Sequence, residues 1–372
     1  MVTPPIRVAH VSFHADGERR NGAALLEAWP TLSSVATAVS GAGVDVVVIQ
    51  TAHADETIEQ HGVAYHFVND ARRIPSRLIS RVRAESPRVV HVHGFHSPLA
   101  IWQLTQALPR VPVLVQDHGS PLPTGWRRPV WRWALRPTAG AAFTVGPQAE
   151  PWKQARVLGR DVPVFEALES STTFTIGDRE SARRATGMFG DPCVLWTSRL
   201  DENKDPLTML AAFERAATSL ADARLWCCFG EAPLLDAVRR TIAESEVLRE
   251  RVVLVGARPH AEMEQRFRAA DFYVQTSHHE AAGFSLIEAL ACGATPIVTD
   301  IPPSRRIVGD AGSLTPVGDA TSISRALVDW AGRDRDTLRR VARARFDESL
   351  TFASIGRDLR KTYETLAASC AP

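Results

Sequence analysis

Lysine is nearly absent from this chain: of 43 basic residues among 372, only those at 153, 204 and 361 are lysine, and arginine fills the other basic positions. Lys204, in a loop after an apolar strand pattern, is therefore not generic surface charge. An excess of one charge sign is missing too. With 42 acidic residues the net charge is +1, so no global field draws the protein to nucleic acid, and any phosphate it binds belongs to a small molecule. No run of 18 apolar residues occurs, which excludes a membrane-spanning helix, and no apolar signal core precedes the first strand pattern, Ile6 to Phe13. The expectation is a cytoplasmic protein, peripheral on the inner membrane face at most. Cysteine is scarce and odd in number. Cys193, Cys227, Cys228, Cys292 and Cys370 lack metal-ligand spacing and mostly sit in apolar runs, as core thiols of a reducing compartment do. Tandem repeats and low-complexity tracts are also missing.

What is present is a rhythm. Short β-branched runs at 6–13, 44–50, 89–93, 111–116, 141–145 and 162–165 alternate with helical patterns. After the polar stretch Glu169-Ser-Ser-Thr-Thr the alternation resumes at 193–197, 224–229, 252–255, 272–275 and 295–298. Leu32, Val35, Ala36 and Val39 recur at helical spacing before Gly41 and Gly43, as a crossover helix requires. Strands alternating with helices specify parallel sheets. The length exceeds what one core supports, since domains run to roughly 100 to 200 residues. The expected fold class is α/β, with two Rossmann-like, doubly wound domains facing each other across a cleft. The expected division is 1–170, 171–350, and a terminal helical segment 351–372. In such sheets ligands bind beyond the carboxyl ends of the strands.

The most informative stretch is Glu280 to Glu288, Glu-Ala-Ala-Gly-Phe-Ser-Leu-Ile-Glu. Two carboxylates with seven residues between them enclose a turn at Gly283 and the start of a helix that stops at Gly293 before a buried strand. Amides at Phe284, Ser285 and Leu286 lack intrahelical acceptors and stand at the positive end of the helix dipole, so they suit a phosphate; a flanking carboxylate suits sugar hydroxyls. An acidic residue early in a helix is also an ordinary response to that dipole, so Glu288 alone decides nothing. The second cue is Trp196-Thr-Ser-Arg-Leu-Asp-Glu-Asn-Lys-Asp-Pro-Leu, where Arg199 leaves a strand and Asp205-Pro206 caps and opens the next helix. Arg199 and Lys204 share this loop. A planar fork and a mobile point charge together neutralise a diphosphate, most effectively where water is excluded. The plain alternative is a solvated loop whose cations pair with Asp201, Glu202 or Asp205.

Together these motifs resemble the nucleotide-sugar domain of the retaining family-4 glycosyltransferases (glycosyltransferase group 1, GT-B fold), over roughly residues 190–320. The resemblance implies that Arg199, Lys204, Gly283, Phe284, Ser285 and Leu286 hold a donor diphosphate, that Glu288 holds the ribose, and that Glu280 faces the donor sugar. It makes 1–170 the acceptor-side domain, 171–350 the nucleotide-sugar domain, and 351–372 a helix that packs back on the first. In the first domain it rests on the strand rhythm and on Val113-Leu-Val-Gln-Asp-His-Gly-Ser, and implies that His118 points at the donor sugar and phosphate, catalytic with Glu280. A purely structural histidine is the alternative. The loop after the first strand departs from the family's glycine pair. It reads Asp16-Gly-Glu-Arg-Arg-Asn-Gly-Ala, in which only Asn21-Gly22 resembles that turn, and Arg19 or Arg20 is expected to contact a phosphate or an acidic acceptor.

Other features read more plainly. His91, His93 and His96 lie close together, with the first two on one strand face, but no fourth ligand is evident, so they are expected to line the cleft and not to hold a metal. Asp334-Arg335-Asp336 reads as a helix start, and Gly146-Pro147 and Gly230-Glu231 as loop turns, with Gly230 close to the nucleotide. Arg258 is assigned near the nucleobase. Trp126 to Arg136 holds three of nine tryptophans, with Arg128, Arg132 and Arg136 four residues apart. Here Trp131 with Leu135, and Trp133 with Val130, are expected to pack on the sheet beneath solvated arginines; the sharper reading is an interfacial helix at anionic lipid.

The activity so implied is transfer of a sugar from a nucleotide diphosphate sugar to a hydroxyl of a glycan, lipid-linked or small-molecule acceptor, with retained anomeric configuration and with neither cofactor nor divalent metal. Two other readings are a nucleotide-sugar epimerase of the same fold, which needs no acceptor, and a non-catalytic sugar-nucleotide or glycan-binding protein.

Overall fold

A computed structural model describes residues 5–70 and 75–369, so Cys370 lies outside the described residues. The chain forms two compact units, one of residues 1–170 with 352–372 and one of residues 171–351.

In the first unit, β1 (Arg7–Ser12), β2 (Asp45–Ala52), β3 (Glu56–Gln60), β4 (Val63–Asn69), β5 (Val89–His93), β6 (Val113–Gln116), β7 (Gly140–Phe143) and β8 (Val164–Glu166) form one sheet. Their order is β3-β4-β2-β1-β5-β6-β7-β8. Pairing is parallel except for the antiparallel β3–β4 hairpin. The central strands β1 and β5 are buried, with Val8, Ala9, Val11, Val90 and Val92 fully enclosed, and one face of the pair also carries His10, His91 and His93. Each of these valines contributes about 1.5–3 kcal/mol when buried. The hairpin has no counterpart in the sequence reading, since Glu-Thr-Ile-Glu-Gln carries no apolar run. Its turn is His61-Gly62, with φ of 52° and 76°, the double positive φ that matches strand twist. The crossover helix Pro30–Gly41 buries Val35, Ala36 and Val39, and the helix Phe352–Ser369 packs against it. Gly356 permits that approach, because a β carbon there would lie 2.3 Å from the Ala38 carbonyl oxygen.

In the second unit, β9 (Cys193–Thr197), β10 (Arg224–Cys228), β11 (Val252–Gly256), β12 (Phe272–Gln275), β13 (Thr295–Thr299) and β14 (Ser313–Thr315) form an all-parallel sheet in the order β11-β10-β9-β12-β13-β14. The edge strand β14, three residues long, is too short to show in a sequence pattern. Asp334 accepts from the Thr337 amide at 3.0 Å and caps the helix Arg335–Ser349, so the acidic triplet is a helix start. Cys193, Cys227, Cys228 and Cys292 are buried free thiols, and burial pushes the Cys228 thiol up to about 11.

Candidate functional site

Strand order decides where the second unit's loops meet. β9 lies between β10 and β12, so the segments leaving all three gather at one sheet edge. The loop after β9 is zipped to the loop after β12. The His278 amide donates to the Asn203 carbonyl at 2.8 Å, the His279 amide to Asn203 Oδ1 at 3.0 Å, and Asn203 Nδ2 to the His279 carbonyl at 3.1 Å. From below, Trp196 Nε1 donates to Thr276 Oγ1 at 3.2 Å, and Thr276 Oγ1 donates to the Lys204 carbonyl at 2.7 Å. A buried tryptophan and two loops thus fix the Lys204 backbone.

Its side chain meets the first glutamate of the signature: Lys204 Nζ lies 2.5 Å from Glu280 Oε1, which also accepts from Ser277 Oγ at 2.7 Å. Both side chains are largely shielded, so the bond is charge-assisted and screened little. Arg199 is half exposed, with Nε 3.0 Å from Asp201 Oδ2 and Nη1 3.9 Å from Glu231. The other Asp201 oxygen accepts from the Lys204 amide at 2.9 Å, so one carboxylate holds the Arg199 side chain and the Lys204 backbone. The helix Phe284–Cys292 opens at Gly283, whose φ of 69° and 2.9 Å approach to Ile307 Cδ1 exclude a side chain. The Leu286 amide is closed onto the Gly283 carbonyl at 3.1 Å, which leaves Phe284 and Ser285 at the open end and removes Leu286 from the expected donors.

Glu288 is engaged as well. Its Oε1 lies 2.6 Å from Nε2 of His260, whose ring stacks on Phe174 with centroids 5.0 Å apart. The bond to Glu288 holds His260 above the usual imidazole range. His260 was missed by sequence reasoning, and its signal was position: it opens a helix just after β11, on the same sheet edge. A 440 Å3 cavity is lined by Ser198, Arg199, Lys204, Gly230, Arg258 and His260, among others. The arrangement suits a polyanion carrying hydroxyl groups. Arg199, Lys204 and Arg258 in its lining are cations available to such a charge.

The first unit offers a different pocket, of 330 Å3, lined by Ser12, His14, Gln50, His93, His96, His118 and Glu169, among others. Both ring nitrogens of His118 are occupied inside this unit, Nε2 by His93 Nδ1 at 3.1 Å and Nδ1 by Glu169 Oε2 at 3.4 Å. His91 and His93 do share a strand face, their rings 4.3 Å apart, but His91 does not line the pocket. It is fully buried and bonded to Tyr363 at 2.7 Å. His10, opposite His91 in the β1–β5 register, completes the group.

None of Arg19, Arg20, Asn21 and Gly22 lines that pocket. Arg20 is committed to Asp16, through Nη1 at 3.0 Å and its amide at 2.8 Å, and also pairs with Glu18. Those bonds hold the buried Asp16 carboxyl below its usual range. Asn21 caps the helix Gly22–Ala28, accepting from the Ala24 amide at 2.9 Å, and a side chain at Gly22 would strike Phe67. The resemblance of Asn21-Gly22 to a ligand turn is thus explained by capping and close packing.

The helix Arg127–Leu135 buries Ala134 and Leu135 and anchors Trp131 by a 3.2 Å bond to the Phe95 carbonyl. Trp133 departs from expectation. It is 48% exposed and stacks on Trp102 with centroids 4.4 Å apart, and Trp126 is 74% exposed. Beside them Arg132, Arg136, Lys153, Arg156 and Arg160 line a 460 Å3 concavity, and among the described residues none of the five forms an ion pair with a carboxylate.

Residues 178–345 match the family model for glycosyl transferases group 1, and residues 27–162 match the glycosyl transferase 4-like domain. The chain is 26% identical over 275 residues to the GDP-mannose:cellobiosyl-diphosphopolyprenol alpha-mannosyltransferase of Xanthomonas oryzae pv. oryzae, covering 70% of this chain and 69% of that protein. It is 28% identical over 302 residues to the phosphatidyl-myo-inositol mannosyltransferase of Mycobacterium leprae, covering 76% and 74%. Among solved structures it resembles sucrose-phosphate synthase from Thermosynechococcus elongatus, with a TM-score of 0.69, 19% identity and coverage of 98% and 100%. It also resembles HepE of Anabaena in complex with UDP, with a TM-score of 0.70, 16% identity and coverage of 97% and 100%. These structural likenesses carry the fold, GT-B.

Proposed function

Because the chain belongs to the group 1, family-4 glycosyltransferases, we propose that it moves a sugar from a nucleoside diphosphate donor to a lipid-linked acceptor hydroxyl, with retention and without a divalent metal. The observation that carries this reading is the 2.5 Å contact of Lys204 with Glu280, beside Arg199 and the open start of the helix Phe284–Cys292. An arriving diphosphate takes Lys204, Arg199 and the Phe284 and Ser285 amides, and so frees Glu280 to accept from sugar hydroxyls. Ribose hydroxyls replace His260 on Glu288. As the bond from the anomeric carbon to the phosphate oxygen breaks, negative charge grows on the diphosphate, where these fixed donors stabilise it. The acceptor oxygen forms its bond on the same face, and its proton passes to the departing phosphate oxygen. Two side-chain cations and a helix terminus supply the charge that a metal supplies elsewhere.

Two relatives are named for lipid acceptors, a diphosphopolyprenol and a phosphatidyl-myo-inositol. In this chain Trp126, Trp133 and the unpaired cations about Arg132 and Arg156 form a surface of the composition that sits at an anionic bilayer. The reaction test is NMR of the product's anomeric centre, with and without EDTA. An unchanged configuration and an unchanged rate are expected, and inversion or loss of activity with EDTA rejects the corresponding part. For the surface, replacing Arg132, Arg136 and Arg156 by Gln is expected to weaken co-sedimentation with anionic vesicles by about 1 kcal/mol per charge. Equal sedimentation of the variant rejects it.

A further inference from the structure

Once Lys204 and Arg199 are assigned to a diphosphate, and Glu288 with its partner His260 to a ribose, a base is left to the rest of the lining of the 440 Å3 cavity. There Cys228, Phe229, Ala257 and Met263 are apolar, and Arg258 carries the one charge. Burial pushes the Cys228 thiol up to about 11, against the charges of Arg266 and Arg258, so the thiol is an uncharged neighbour. Two loops carry this wall, and they are tied together. Cys228 is set against Gly256 by a register shift between β10 and β11, and the Phe229 amide donates to the Gly256 carbonyl at 3.1 Å.

The Arg258 side chain is exposed and has donors to spare. Its Nη1 donates to the Ala257 carbonyl at 2.9 Å, and among the described residues no carboxylate pairs with it, whereas Arg199 is held by Asp201. No Asp or Glu lines the cavity. A flat ring resting on this wall therefore meets a fork of donors and no carboxylate to accept from its amino groups.

That asymmetry separates the bases. A guanidinium pairs best with two acceptors side by side, and guanine has them in O6 and N7 on one edge. Adenine sets an amino group beside N7, so the fork meets a donor. Uracil flanks each carbonyl oxygen with an N–H or the glycosidic bond. Cytosine has O2 beside N3, but O2 adjoins the glycosidic bond, which turns that pair toward the ribose.

We propose that Arg258 selects the base of the donor and that the base is guanine, held through O6 and N7. The inference rests on the donor reading of the cavity and names its nucleotide as a guanosine diphosphate.

The test is calorimetric titration of the full chain with GDP, ADP, UDP, CDP and a deaza analogue of GDP that has carbon in place of N7. The wild-type protein is expected to bind GDP at least about fivefold tighter than each of the others, the lower end of what a bidentate base contact contributes. Arg258→Ala is expected to bring GDP down to the level of ADP. Arg258→Gln, whose amide offers one donor and one acceptor, is expected to narrow the gap between GDP and ADP by raising ADP. A wild-type protein that prefers another base or none, or that binds the deaza analogue as tightly as GDP, overturns the proposal. So does a variant that keeps the preference for GDP, or one that weakens all five nucleotides alike, since Arg258 then meets phosphate. If a variant does not fold, the wild-type series decides alone. Binding of none of the five would reject the donor reading itself, and this inference with it.

Discussion

In the second unit Lys204 meets Glu280, Arg199 meets Asp201 and Glu288 meets His260, so its pocket is a set of opposite charges held in contact on tethered loops. In the first unit His10, His91, His93 and His118 meet one another and Tyr363, and burial keeps the inner rings uncharged. We propose that the charged pocket is a placeholder arrangement in which each ion pair exchanges its partner for a phosphate or a ribose. The histidine pocket instead holds ring nitrogens in contact with one another, with the Glu169 carboxylate beside His118 at its end. We propose that a polyanionic ligand belongs to the second unit.

Acid is the strongest way to break that contrast. The depressed values of His10, His91 and His93 give stability that is fully present above the ordinary imidazole value of about 6.5 and lost as the pH falls below it, because only the unfolded chain gains the protons. Each such ring contributes a slope of up to about 1.4 kcal/mol per pH unit. Hydrogen exchange followed from pH 7.5 to 5 is expected to show the first unit opening while the second keeps its protection; equal loss in both would end the comparison.

A smaller effect of opposite sign belongs to His260. Its raised value means that the pair with Glu288 holds below the ordinary imidazole value and is lost as the pH rises through the folded one. Affinity for a nucleoside diphosphate is expected to increase over that window as Glu288 is released, and His260→Ala to flatten the dependence. Titration curves that keep their slope in the variant would assign the release to another group.

How far the sequence revealed each pocket follows from how local it is. Arg199 and Lys204 lie in one loop, and Glu280 to Glu288 in one turn and helix start, so spacing alone brought them together. The structure adds that Lys204 meets Glu280, that His260 meets Glu288 and that the Leu286 amide is closed onto Gly283. The other pocket draws His10 from β1, His93 from β5, His118 from the loop after β6, Glu169 from beyond β8 and Tyr363 from the last helix. No window of sequence contains two of these elements, which is why His10 and Tyr363 went unread while the strands that carry the histidines were placed to within a few residues. Loop chemistry misled for the same reason. Asn21-Gly22 has the composition of a ligand turn, but its constraints are Phe67 and Glu56, more than thirty residues away.

Calorimetric titration of wild-type and Lys204→Ala proteins with a nucleoside diphosphate and its parent nucleoside tests the central assignment most directly. The substitution is expected to weaken the diphosphate by about 2–5 kcal/mol, the scale of losing one partner of a buried charge pair, and to leave the nucleoside unchanged. Equal affinity of both proteins for the diphosphate would contradict it.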